Sequence, residues 1–272
     1  MSKSAILLGS KPGSVSALNY LLNSGWDVKE VVASKEPIKW IPKPSLYEMA
    51  KQLGIRTVEK QSELISEKVD LVISYMFRSK VKTKTLKKGQ YPINFHAGPL
   101  PEYGGWAFYS LAILEESEYY GCSCHIMDEN FDTGELVKVK RFSICSRNET
   151  ALSLERKSQK EMLLLFREII DQYASKKTLS STPQDSNKMR YLKYAEFKKL
   201  KKIPLNSNAE EADRISRAFW YPPYDLAYYE LQNGTKIESI PNIAKEEIAK
   251  HLHRDDYLIS NLILNSEYLN SN

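Results

Sequence analysis

At 272 residues, 42% apolar and 27% charged, the chain is long enough to bury a sizeable core and has the composition of a globular protein, not of a disordered or fibrous one. No apolar run approaches the roughly 20 residues of a membrane span, Ala5-Ile6-Leu7-Leu8 is too short for a secretory leader, and Cys122, Cys124 and Cys145 have neither CxxC spacing nor an even count, so no membrane, disulfide framework or zinc is indicated and a cytoplasmic location is expected. The formal charge of +5 is local, because residues 187–202 carry seven basic residues against Glu196, a block that suits a phosphate partner or a solvated helix face.

Ser4-Ala5-Ile6-Leu7-Leu8-Gly9 reads as a buried strand running into Ser10-Lys11-Pro12-Gly13 and a helix through Val15, Leu18, Leu21 and Leu22, with Ser14 as N-cap. Unpaired N–H groups converge where a strand meets a helix N-terminus, so Ser10, Lys11 and Gly13 could take a phosphate. An ordinary β–α turn explains the same residues, and neither GxGxxG nor a Walker A loop is present. Val28 to Ala33 is predicted as the second strand, and Pro37, Pro42 and Pro44 keep residues 35–44 irregular. Leu46, Met49, Ala50 and Leu53 then space out as an amphipathic helix stopped by Gly54. A short strand over 55–58, a short helix over 62–68 and a buried strand over 70–75 follow. This alternation predicts an α/β fold with a doubly wound, mainly parallel sheet. Tyr75, Met76 and Phe77 fall at a strand's carboxyl edge, either as core or as the lining of a flat slot for an aromatic ligand.

Tyr91, Ile93 and Phe95 alternate with Asn94 and His96, so an amide and an imidazole point the same way at a strand end. The prolines and glycines of residues 98–105 then force an open loop. Trp106 to Leu114 returns to helical spacing, 121–127 is a strand, 128–134 a polar loop and 135–144 a strand. Residues 149–173 form a long helix with apolar Leu154, Leu165, Phe166, Ile169 and Tyr173, and 178–187 reads as a linker, which sets domains at 1–178 and 179–272.

The second part opens with six aromatics in residues 219–229, among them Trp220, Tyr221 and Tyr224, which could stack a base or serve packing and a homodimer contact. Asn233-Gly234 signals a hairpin, and Ile243 to Leu252 an amphipathic segment before a polar, Asn-rich end. His251 and His253 read as a solvated helix end.

His96, Asp132 and Asn94 together suit acyl transfer to a nucleophile carried by the substrate: an imidazole beside a carboxylate moves protons, and an amide N–H stabilises an oxyanion. His96 as a hydrogen-bonded structural histidine fits the same sequence. There is no GxSxG elbow, Cys124 and His125 face opposite ways on a strand, and His125, Asp128 and Asp132 lack metal-ligand spacing, so no metal is expected.

Asn94-Phe95-His96, the Leu100-Pro101 and Tyr103-Gly104-Gly105 loop, and Phe131-Asp132-Thr133-Gly134-Glu135-Leu136-Val137 resemble the signature of formyltransferases that use N10-formyltetrahydrofolate. The likeness runs over about residues 4–240 and implies a Rossmann-like formyltransferase fold with a small C-terminal hairpin and helix extension. It implies that Asn94, His96 and Asp132 are the catalytic trio, acting on an amine that attacks the formyl carbon. Asn94 and protonated His96 would stabilise the oxygen, while Asp132 orients His96 and helps move the amine proton. It further implies that Tyr75, Met76, Phe77, Asp128 and Phe131 hold the folate.

The short C-terminal part and the Pro99-Leu100-Pro101-Glu102 loop are most similar to the sugar-nucleotide N-formyltransferases of surface-glycan biosynthesis. The implied acceptor is an amino-deoxysugar on dTDP, UDP or GDP, with no nucleic acid partner; the residues agree, since Ser10, Lys11 and Gly13 could take its phosphate and Trp220, Tyr221 and Tyr224 could stack its base. A methionyl-tRNA formyltransferase, using the basic block, and a silent folate- or nucleotide-binding homologue are the alternatives. Gly104 stands where the family commonly has Arg, which touches the acceptor contacts and not the trio.

Overall fold

The computed structural model describes residues 3–36, 43–106 and 108–244. Pro37, Pro42, most of the amphipathic segment expected over Ile243 to Leu252, and the tail with His251 and His253 lie outside the described residues. In chain order the first half contains β1 (Ser4–Gly9), α1 (Gly13–Asn23), β2 (Asp27–Val32), α2 (Leu46–Gln52), β3 (Arg56–Val58), β4 (Val69–Tyr75), α3 (Thr83–Leu86) and β5 (Gly89–His96). Then come β6 (Gly104–Gly105), α4 (Phe108–Leu114), β7 (Tyr119–Ile126), β8 (Leu136–Ser143) and α5 (Ala151–Lys176). The last elements are β9 (Tyr191–Leu192), α6 (Tyr194–Lys199), α7 (Ala209–Ala218), β10 (Ala227–Glu230) and β11 (Lys236–Ser239). No helix among the described residues is long and apolar enough to cross a membrane.

Seven strands form one sheet in the order β3-β2-β1-β4-β5-β7-β8. β1 to β5 run parallel, and β7 lies antiparallel to both of its neighbours. The expected doubly wound, mainly parallel sheet is what forms, because the near-continuous apolar runs of β1 and β4 can be buried on both faces only in such a sheet. One face is filled by Ile6, Leu8, Val32, Val58, Val72 and Leu86. On the other, Phe166 of α5 packs against the rings of Tyr75 and Phe95 at 5.5 and 5.0 Å, and Tyr173 against Tyr91 and Trp26. The strand order reverses between β1 and β4, and the carboxyl ends flanking such a reversal leave a crevice.

Several expectations are corrected locally. Ser14 is not the N-cap: Pro12 holds that position, and the buried Ser14 hydroxyl donates to the Lys11 carbonyl at 2.6 Å. Residues 62–68 are not a helix beyond a single 3₁₀ turn at Gln61–Glu63. The N–H groups of Ile65 and Ser66, which a helix would need, go instead to the buried Glu30 carboxylate at 3.1 and 2.8 Å. Trp106 stays outside α4, its N–H bonding the Leu192 carbonyl at 3.0 Å.

The chain divides into two compact units. The sheet-bearing unit comprises residues up to 108, 118–144 and 155–193, so it includes the segment expected as a linker. The second comprises 109–117, 145–154 and the chain from 194 onward. Within it, the buried Arg217 guanidinium donates to Asp213 at 2.7 Å and to the carbonyls of Ser146 and Glu149 at 2.5 and 3.2 Å, tying α7 to that loop. The hairpin β10–β11 turns at Gly234, whose φ of 81° is the left-handed region that favours glycine.

Candidate active site

β5 ends with its apolar and polar residues on opposite faces, as period-2 alternation demands. Ile93 and Phe95 are buried in the core, which turns Asn94 and His96 the other way. His96 is itself buried, with Nε2 2.7 Å from the Tyr103 carbonyl and its ring edge-on to Phe108 at 4.7 Å. Its Nδ1 lies 3.6 Å from Oδ1 of Asp132. A proton on either ring nitrogen therefore faces an oxygen acceptor.

Asp132 reaches this point from the loop between β7 and β8. Its side chain is 13% exposed, and Oδ2 accepts the Gly105 N–H at 3.0 Å. Burial alone would push this carboxyl up, but His96, His125 and the Gly105 N–H outweigh it and hold the group well below the usual carboxylate range. Its backbone sits at φ 58°, a left-handed conformation that a non-glycine residue keeps only when its surroundings impose it. The loop supplies those constraints. Asp128, exposed at the surface, accepts from the Asn130 N–H and the Thr133 hydroxyl at 2.8 Å each. Gly134 approaches the Ile126 carbonyl so closely that an added Cβ would lie 1.8 Å from its oxygen.

Asn94, His96 and Asp132 are thus brought together, and a fourth residue joins them. The antiparallel register places His125 of β7 opposite Asn94. Its Nδ1 meets the Ile126 carbonyl at 2.8 Å, and its Nε2 lies 3.0 Å from Asn94 Nδ2 and 3.7 Å from Asp132 Oδ1. Pairing His125 with its chain neighbour Cys124 hides this role. Its real face is shared with Ser123, whose hydroxyl donates to the Gly98 carbonyl and accepts the Leu100 N–H, both at 2.8 Å, fixing the loop behind His96.

The profile of the family described as formyl transferase matches residues 23–169, more than half of the chain. The chain belongs to the formyl transferase family. Among curated relatives, the GDP-perosamine N-formyltransferase of Brucella melitensis is 29% identical over 178 residues, 64% of this chain and 65% of that protein. The methionyl-tRNA formyltransferase of Lachnospira eligens is 22% identical over 261 residues, 89% of this chain and 82% of that protein. The solved N-formyltransferase of Helicobacter canadensis, in complex with folinic acid and dTDP-3-aminofucose, is 25% identical, with a TM-score of 0.71 and coverage of 87% of this chain and 86% of that one.

The other site candidates of this formyl transferase are distributed differently from expectation. Tyr75 is core: it is fully buried, and burial pushes its hydroxyl far up. Gly13 is a packing position, since an added Cβ would lie 2.9 Å from the Tyr75 ring. Lys11 is ion-paired with Glu155 at 3.1 Å, and the Ser10 hydroxyl accepts the Arg78 N–H at 3.3 Å. Ser10, Lys11, Phe77 and Arg78 line one cleft of about 520 Å³ at the β1/β4 reversal, together with Leu46 and Tyr47, so the candidates for phosphate and for pterin share a wall. Met76, at φ 53°, and Phe77 are half-buried, and Phe131 is 47% exposed. In the second unit Trp220 is buried, its carbonyl accepting the Leu152 N–H at 3.1 Å, so its indole offers no face to a base. Tyr221 and Tyr224 lie 5.5 Å apart, and Tyr224 is exposed.

Proposed function

We propose that this formyl transferase moves a formyl group from N10-formyltetrahydrofolate to an amino group, at C3 or C4, of a nucleotide-linked amino-deoxysugar that serves as a surface-glycan precursor. The observation that carries the reading is the convergence of Asn94, His96 and Asp132 at the carboxyl end of β5. The sugar acceptor is supported by the likeness to the Helicobacter canadensis enzyme, which extends over most of both chains. The cleft suits a folate: its volume lies in the range of small-molecule sites, half-buried Phe77 gives an apolar wall, and Lys60 and Arg78 match carboxylates on its rim.

The folate supplies a formyl group activated by its attachment to N10, and that group must reach beyond the cleft wall to the trio, since Asn94, His96 and Asp132 are not among the residues that line the cleft. The chain supplies charge stabilisation and proton handling. Asn94 spends one N–H on His125 and keeps a second for the oxygen on which negative charge develops. His96 has its ring nitrogens against the Tyr103 carbonyl and Asp132, so it reaches the same oxygen as a proton donor only when substrate binding opens one of those contacts. Asp132, held low on the pKa scale, is a weak base, so its work is to orient His96 and balance its positive charge, and not to retain the amine's proton.

Tetrahydrofolate release, measured with dTDP-, UDP- and GDP-amino sugars, tests the proposal. Release with one of them is expected. Release only with charged initiator tRNA would overturn it in favour of methionyl-tRNA formylation, the second reading, which the Lachnospira eligens relative and the exposed basic residues Lys188, Arg190, Lys193, Lys198 and Lys199 support. No release with either would favour a silent homologue.

A further inference from the structure

Residues 179–193 form a strap, within the sheet-bearing unit, that joins the two loops of the site. Thr182 exchanges both backbone hydrogen bonds with Leu136, at 2.8 and 2.9 Å, and anchors the strap beside the start of β8. At its other end β9 pairs with β6: the Arg190 carbonyl accepts the Gly104 N–H at 3.1 Å, and the Arg190 N–H donates to the Pro101 carbonyl at 3.0 Å. That pairing fixes Gly105, whose N–H holds the Asp132 carboxylate. Between these anchors Gln184 points at the turn of the catalytic loop. Its Nε2 donates to the carbonyls of Asp132 and Gly134, both at 2.8 Å. Its Oε1 is buried with no partner among the described residues, so this side chain serves through its N–H groups alone.

We infer that Gln184 is a positioning residue for Asp132. It rests on the proposed role of Asp132 in formyl transfer. One amide nitrogen gathers the carbonyl of the left-handed aspartate itself and that of Gly134 two residues on, and so holds a conformation the chain does not keep by itself. Released from it, the carboxylate drifts from His96, His125 and the Gly105 N–H, the three contacts that keep it ionised.

The test compares Gln184→Met, which keeps length and apolar bulk but has no N–H, with Asp132→Asn in the full chain, using whichever amino-sugar nucleotide supports turnover. For Gln184→Met, a thermal midpoint close to wild type, a kcat lower by about 10- to 100-fold with little change in KM, and an acid limb of the kcat/KM profile moved to higher pH are expected. Gln184→Lys, which restores donors, should recover most of the loss. A folded Gln184→Met with wild-type kcat and an unmoved acid limb would overturn the inference while leaving the proposed function standing. Wild-type activity in Asp132→Asn would instead sink the role of Asp132 on which it rests. Should Gln184→Met not fold, Gln184→Lys decides alone: a folded, active enzyme supports the role of the donors, and a folded enzyme as slow as Asp132→Asn overturns it.

Discussion

Replacing Asp132 by Asn is the sharpest test of the trio. Asn keeps the size of the side chain and an oxygen that can accept the Gly105 N–H, so the loop should persist. What it removes is one negative charge 3.6 Å from His96 Nδ1. At the effective dielectric constant of about 20 that suits such partly buried pairs, two unit charges at this separation attract by about 5 kcal/mol. If the imidazole carries its positive charge in the transition state, that attraction is worth about three orders of magnitude in rate. kcat should therefore fall by about 10³-fold, and KM for folate should change little. Single-turnover release of tetrahydrofolate, with mass detection of the formylated sugar, reads both quantities. A kcat within tenfold of wild type, in a folded protein, would refute the electrostatic role given to Asp132.

Four further outcomes follow from the same geometry. Asn94→Ala should lower kcat by about 10²- to 10³-fold, as expected for removing one oxyanion donor, and an unchanged kcat would remove Asn94 from the site. Gly134→Ala puts a Cβ 1.8 Å from the Ile126 oxygen, so the loop must deform; soluble protein with wild-type thermal midpoint and activity would contradict the close approach. Trp220→Ala should cost about 3–5 kcal/mol of unfolding free energy in urea, as for a buried aromatic, and a stability near wild type with a raised acceptor KM would restore the base-stacking role. For Glu30, Asp70 and Asp132, burial works to raise each carboxyl but hydrogen bonds and nearby charge outweigh it, so all three are depressed in the fold. Their contribution is fully present above the ordinary carboxylate range, begins to be lost as pH falls into it and goes on being lost down through each depressed folded pKa; a urea midpoint that does not drop from pH 6 to pH 3 would count against it.

The sheet was legible because its signal is redundant. The central strands carry short apolar runs, Ala5 to Leu8 in β1, Val31 and Val32 in β2 and Leu71 to Ile73 in β4, and the longer helices α1 and α5 repeat an apolar face over several turns. The failures occur where one long-range contact outweighs local preference. Residues 62–68 have helical composition, but Glu30, buried on β2, claims the N–H groups of Ile65 and Ser66. Trp220, Tyr221 and Tyr224 look alike in sequence, yet the first is buried and the last exposed, and nothing in their spacing separates the two. Lys11 and Gly13 have the composition of an anion site, but their partners are Glu155 and Tyr75, which only the folded chain brings near. Gln184 gave no signal, since Pro183-Gln184-Asp185 has the composition of any loop.

The convergence of the site itself has a topological cause. Had the strand beside β5 been parallel, its carboxyl end would lie at the same edge as His96, and the residues beside Asn94 would be reached only after a crossover. β7 instead runs antiparallel, with His96 opposite Ser123 and Asn94 opposite His125. The same strand therefore braces the loop behind His96 through Ser123 and then, two residues later, orients Asn94 through His125. It leaves the sheet at Ile126, and the 128–134 loop must travel back along the strands to bring Asp132 to the end of β5. A chain doubling back in this way needs a residue in the left-handed region and a glycine where it passes its own strand, and Asp132 and Gly134 meet those two needs. The backbone strain at Asp132 is thus the cost of delivering a carboxylate to a histidine by this topology, and the bonds from Gly105 and Gln184 hold it in place.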